Sequence, residues 1–200
     1  MQNLLFVRAS IFAEQGQSSQ LAASFANRFR GEYPEAGFVL RDVQQPALPH
    51  LDAETFQAFG KSADALTEVD RVRLTLSDEL IDEVRAATDL LIALPMYNFA
   101  IPSAFKAWID HVARARVTFR YTASGPQGLL TNIQRCWVVA TRGGQYHGTS
   151  NDTQTPYLAT MLGFLGIPKP VFIYAEGMAR PDVRAKSLAA AQQALMDLPL

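Results

Sequence analysis

A chain of 200 residues is long enough for one α/β domain with a sizeable core. With 48% hydrophobic and 18% charged residues, its composition excludes an extended, disordered polypeptide. The formal net charge of -1, with no block of positive residues, gives nucleic acid and anionic membranes no electrostatic foothold.

Asn3 to Arg8 reads as a short apolar strand, followed by the loop SIFAEQGQSS and a helical run from about Ser19 to Tyr33. Phe38 to Val43 is a second strand, punctuated by Gly37. Pro46 to about Thr67 is a surface excursion, with a short helix near Ala53 to Phe59. From Glu68 to Ala87 there is no Gly or Pro, and Leu76, Leu80 and Val84 repeat every four residues, the mark of an amphipathic helix. Leu90 to Leu94 is an apolar run of strand length, and Phe105, Trp108, Ile109 and Val112 fall on one helix face beyond it. Val117 to Leu130 reads as a loop or small hairpin. Arg135 to Thr141 and Val171 to Ala175 are the fourth and fifth strands, with helices near Pro156 to Leu165 and Asp182 to Met196.

Strands separated by helical runs, with no two-residue turns joining them, predict parallel pairing and crossover helices. The expected fold is α/β: a doubly wound, five-stranded parallel sheet with helices on both faces, as one domain over residues 1–200. Cys136 lies in the apolar stretch RCWVVA and reads as a buried thiol. The start of the chain lacks a basic leader and no run approaches the length of a membrane span, so a cytoplasmic protein is expected. His50, His111 and His147 lack metal-ligand spacing, and His111 reads as a surface or packing residue. No metal site and no catalytic triad are expected, since G-x-S-x-G is missing.

In a parallel sheet the loops after strands one, three and four converge at one edge. The first offers Ser10, Gln17, Ser18 and Ser19 ahead of a helix, a place receptive to phosphate; equally, Ser18 or Ser19 reads as an ordinary N-cap. Neither the GxxxxGK[ST] nor the GxGxxG phosphate motif is present. The second, PMYNFAIPS, places Met96, Tyr97, Asn98 and Phe99 between two prolines. These residues could grip a flat heteroaromatic ring, or simply pack over the next helix. The third carries Thr141, Arg142, Gly143 and Gly144. Its glycine N–H groups can face a carbonyl or a developing anion, Arg142 either reinforcing this or forming a surface ion pair; a tight turn without a ligand is the other reading.

At PMYNFAIPSAFKAWIDHVARA, VTFRYTASGPQGLL and TRGG the chain resembles the FMN-dependent NAD(P)H azoreductases, or NAD(P)H:quinone oxidoreductases of the bacterial azoreductase type. SIFAEQGQSS, TPYLATMLGFLGI and FIYAEG extend the likeness over essentially the whole chain. The resemblance implies a flavodoxin-like fold, a homodimer with active sites near the subunit interface, and non-covalently bound FMN. By position it assigns Ser10, Gln17 and Ser18 to the FMN phosphate, Met96, Tyr97, Asn98 and Phe99 to the ring and ribityl chain, and Thr141, Arg142, Gly143 and Gly144 to the ring's far edge. Phe119, Tyr121 and Phe164 match aromatics of the substrate pocket, contributed partly by the other subunit. Gly16 stands where some relatives carry a serine, and Gln145, Tyr146 and His147 receive no role.

The implied activity is a ping-pong transfer of two electrons from NADH or NADPH, through the flavin, to quinones, azo compounds or nitroaromatics, with no obligatory side-chain acid or base. Two rivals stand beside it: a flavodoxin-like FMN electron carrier without NAD(P)H turnover, and an FMN-free regulatory or scaffolding protein.

Overall fold

In the computed structural model, which describes residues 2–200, the strands β1 (Asn3–Arg8), β2 (Gly37–Asp42), β3 (Asp89–Pro95), β6 (Arg135–Thr141) and β7 (Val171–Ala175) form one parallel sheet. Its order is β2-β1-β3-β6-β7, so the winding reverses between β1 and β3. The crossovers carry α1 (Gln17–Glu32), α2 (Ala53–Phe59), α3 (Glu68–Ala86), α4 (Ser103–Val112) and α5 (Gln154–Phe164), and α6 (Pro181–Asp197) follows the last strand. This is the expected flavodoxin-like architecture.

The central strands are apolar throughout because both of their faces are covered. In β3, Leu90, Ile92 and Leu94 pack into one core with Leu80, Val84, Phe105 and Trp108 from α3 and α4. Leu91 and Ala93 point the other way, into a second core with Phe25 and Phe29 of α1 and Leu195 of α6. The same alternation splits β1 into Leu5 and Val7 against Leu4 and Phe6. Fully burying one such large side chain contributes about 1.5–3 kcal/mol, so the sheet is held rigidly from both sides. Phe105, Trp108, Ile109 and Val112 are all buried, as their spacing predicts.

Cys136 is buried, and burial pushes its thiol well above the ordinary range. His111 is a packing residue: it is buried, its Nε2 lies 3.1 Å from the Pro49 carbonyl, and its own carbonyl accepts from Ser77 Oγ at 2.7 Å. The segment Val117 to Leu130 contains an antiparallel hairpin, β4 (Phe119–Thr122) with β5 (Gly125–Gly128). No helix among the described residues is long and apolar enough to cross a membrane.

Candidate functional site: a cleft at the carboxyl rim of the sheet

The loops after β1, β3 and β6 meet as topology requires. Between them lies a cleft of about 200 Å³ lined by Ser10, Phe12, Gly16, Gln17, Ser18, Pro95, Met96, Tyr97, Thr141, Arg142, Gly143 and Met178. It opens at the point where the strand order reverses, where open α/β sheets bind ligands.

The first loop builds an anion-receptive floor. Helix α1 begins at Gln17, two residues earlier than its periodicity suggests, and its N-cap is Gly16, whose lack of a side chain leaves the first turn uncapped. This corrects the N-cap reading: Ser18 and Ser19 lie inside the first turn. Both hydroxyls are buried and have no hydrogen-bond partner among the described residues. An unpartnered buried hydroxyl costs roughly 1–3 kcal/mol, so two at one helix start are a strong sign of an intended polar ligand. Gly16 is needed for a local reason. A Cβ there would lie 2.2 Å from Ser10 Oγ and 2.6 Å from Ser10 Cβ, so the missing hydroxyl at 16 makes room for the one at 10. Ser10 Oγ accepts from the Phe12 N–H at 3.2 Å and sits 3.4 Å from Tyr97 Oη.

The second loop turns sharply. Tyr97 and Ala100 exchange both backbone hydrogen bonds, at 3.0 and 2.9 Å. Asn98 and Phe99 between them have φ of 49° and 61°, the left-handed pair of a type I′ turn. Asn tolerates that region; an aromatic residue rarely does. The turn is braced by the Thr153 hydroxyl, which donates to the Phe99 carbonyl, and by Tyr146, whose ring centre is 5.2 Å from that of Phe99. Met96 and Tyr97 line the cleft, whereas Asn98 and Phe99 stand exposed on its rim. Across the turn lies a second hollow of about 440 Å³, mostly apolar, bounded by Ala100, Ile101, Lys106 and Tyr157.

The third loop overturns the reading of Arg142 as a surface ion pair. Arg142 is 1% exposed, and its guanidinium donates to Asp152 at 2.9 Å, Glu176 at 3.1 Å, Gln154 at 3.3 Å and Thr155 at 2.8 Å. Its charged end lies 4.9 Å from the Tyr174 ring centre. Its ion pairs are therefore buried and not at the surface; the reason is the pair of carboxylates held just before α5 and just after β7. Burial works against ionising Asp152, but hydrogen bonds from Thr155 and Arg142 prevail and hold its carboxyl below the ordinary range. Gly143 lines the cleft, whereas Gly144 is not among its lining residues. A Cβ at 144 would lie 2.5 Å from Tyr146 Oη, so this glycine lets the tyrosine fold back over the loop.

Phe119, Tyr121 and Phe164 form a cluster of their own, with ring centres 4.5 Å apart for Phe119–Phe164 and 5.6 Å for Phe119–Tyr121. They do not line the cleft. Phe119 is buried in the core, Phe164 is half-buried and Tyr121 is 75% exposed. Sequence reasoning placed Ser19 in the phosphate-receptive loop, although the resemblance gave it no role, and missed the cleft walls Phe12, Pro95 and Met178. Phe12 and Pro95 lay within loops already singled out. Met178 follows β7, and only the rule that all parallel strands end on one rim could have found it. No three His, Cys, Asp or Glu side chains are grouped to hold a metal among the described residues.

The sequence profile of a family described as having the flavodoxin-like fold matches residues 2–198. The chain is 45% identical over 195 residues to an FMN-dependent NADH:quinone oxidoreductase of Alcanivorax borkumensis, covering 97% of this chain and 98% of that one. It is 43% identical over 196 residues to a protein of the same description from Azotobacter vinelandii, covering 98% of each. The crystal structure of an azoreductase from Bacillus anthracis superposes with a TM-score of 0.88 at 26% identity, covering 98% of this chain and 97% of that one.

Proposed function

The chain belongs to the flavodoxin-like family and, within it, to the FMN-dependent NADH:quinone oxidoreductases; from that premise we propose that it works by a ping-pong exchange at a single cleft and also reduces azo compounds and nitroaromatics. The observation that carries the cofactor assignment is the pair of buried, unpartnered hydroxyls of Ser18 and Ser19 at the uncapped start of α1. Such a place lacks only an acceptor-rich anion, which the FMN phosphate supplies.

The residues fit the rest of the group. Ser10, Gln17 and Ser18 would hold the phosphate. Met96 and Tyr97, with Asn98 and Phe99 at the rim, would flank the ring, and Thr141, Gly143 and Gly144 would follow its far edge. Arg142 belongs to this set through its backbone alone. FMN held there would supply the hydride and two-electron chemistry between nicotinamide and acceptor. The protein's part is to orient that ring, to supply N–H groups where negative charge gathers, and to keep one side open for donor and acceptor in turn. No side chain need act as an obligatory acid or base.

A homodimer belongs to the same reading. Ile11, Phe12, Phe99 and Tyr121 are 56%, 64%, 49% and 75% exposed in one subunit, close to the rim or on the hairpin, where a second subunit would cover them. The aromatics Phe119, Tyr121 and Phe164 would then serve a pocket shared between subunits. The reading takes residues 1–200 as one domain. Its donor is a nucleotide kept inside the cell, which makes the cytoplasm its place of work.

Stopped-flow mixing tests the proposal. FMN-loaded protein should bleach rapidly on mixing with NADH, and recolour on adding a quinone after the nicotinamide product has been removed. Bound flavin that does not bleach would make the chain an electron carrier, and no flavin absorbance after adding FMN would refute the cofactor assignment.

A further inference from the structure

We infer that Glu176 is a positioning residue: through Arg142 and the 146–147 backbone it fixes a row of three unpartnered N–H groups, Gly143, Gly144 and Gln145, which begins at the cleft wall Gly143. The geometry is set by consecutive carbonyls. Those of Arg142, Gly143 and Gly144 accept from the N–H groups of Met178 at 3.0 Å, Ala179 at 3.1 Å and Gly177 at 2.9 Å. In a trans peptide the C=O and the following N–H point in opposite directions. Three carbonyls facing the segment after β7 therefore turn the N–H groups of Gly143, Gly144 and Gln145 away from it. None of these three has an acceptor among the described residues. Gln145, to which the sequence assigned nothing, thus becomes the third donor.

Glu176 locks this arrangement from both ends. Its Oε1 accepts from Arg142 Nη1 at 3.1 Å, from the Tyr146 N–H at 2.9 Å and from the His147 N–H at 2.9 Å, so the glycine segment is strung between two anchored points. The Glu176 N–H donates to Ser187 Oγ at 2.9 Å, which ties the carboxylate's own backbone to α6. On its other side the Arg142 guanidinium holds Asp152, Gln154 and Thr155 at the start of α5. One buried guanidinium thereby joins the loop after β6, the end of β7 and the entry to α5. The arrangement serves the ring edge only if FMN occupies the cleft, so the inference rests on the reading above.

The test uses Glu176→Ala and the milder Glu176→Gln, whose carbonyl oxygen can still accept from two of the three donors. Three quantities are measured: hydrogen exchange of the 177–179 amides without FMN, FMN affinity, and the midpoint potential of the FMN-saturated protein. In Glu176→Ala those amides should exchange at least about tenfold faster, FMN should bind about tenfold or more weakly, and the potential should shift negative, with Glu176→Gln recovering part of each. The sign of the potential discriminates. Removing a nearby carboxylate charge alone favours electron uptake and moves the potential positive, whereas losing the N–H row moves it negative. Unchanged exchange would refute the positioning role. Faster exchange with wild-type affinity and an unchanged or positive potential would reduce the network to a structural brace and overturn the inference. Should wild-type protein bind no FMN, the functional reading falls, while the exchange measurement still decides whether Glu176 holds the loop.

Discussion

Ser18 carries a buried hydroxyl with no hydrogen-bond partner among the described residues. Replacing it by alanine removes an unpartnered buried group, so Ser18→Ala should leave the melting temperature of the FMN-free chain unchanged or raise it. If Ser18 donates to the phosphate as proposed, the same change should weaken FMN binding about tenfold. Calorimetry on the free chain and flavin fluorescence titration measure the two effects, and a fall in both would mean the hydroxyl has a protein partner. At this scale the sequence was legible in kind but not in detail. Hydroxyls before a helix left an anion site and an ordinary N-cap both open, and whether Ser18 capped the helix or lay inside it depended on helix register, which Gly16 decides. Arg142 was less legible still. The partners that bury it, Asp152 and Glu176, are 10 and 34 residues away in sequence, and no local pattern joins them.

Among the elements, α3 shows how a helix start can be sensitive to acid. Thr67 and Asp70 form a reciprocal capping box. The Lys61 ammonium, then the Thr67 N–H and hydroxyl, draw the Asp70 carboxyl down from 3.8 to about 2. A carboxyl lowered on folding stabilises fully above its unfolded value and loses that contribution as pH falls through its folded one. The melting-temperature gap between wild type and Asp70→Asn should therefore stay constant above about pH 5 and close between about pH 4 and 2. A gap that persists at the lowest pH would assign the effect to packing. The β4–β5 hairpin depends on a different device. A Cβ on Gly128 would lie 2.0 Å from the Gly166 nitrogen and 2.1 Å from the Leu165 carbonyl carbon, backbone that cannot turn aside. Two residues on, the Leu130 N–H donates to the Leu165 carbonyl at 2.9 Å. Gly128→Ala should cost about 1–3 kcal/mol in urea unfolding, and a neutral result would show that the hairpin is not fastened there. The turn composition around Gly125 and Pro126 allowed a hairpin to be read from sequence. Its docking onto α5 was not legible, because a contact between two glycine backbones leaves no apolar signature.

For the whole molecule, the alternation of apolar runs with amphipathic segments was enough to predict a parallel, doubly wound sheet, and topology alone then brought three loops to one rim. What pattern could not supply was the division of that rim into a lined cleft, an exposed turn at Asn98 and Phe99, and a separate aromatic cluster on the hairpin. That division depends on how side chains orient after packing. The dimer reading predicts that light scattering of the purified protein gives twice 22.0 kDa, and that a charged substitution at Tyr121 lowers it. A mass of one chain at micromolar concentration would remove the shared pocket. The two solitary hydroxyls at the head of α1 also bear on the cell. If FMN partners them as proposed, the polypeptide is at its weakest just after synthesis, before its prosthetic group arrives, when proteases reach it most easily. Vitamin supply would then set how much of this enzyme survives, as well as how fast it works.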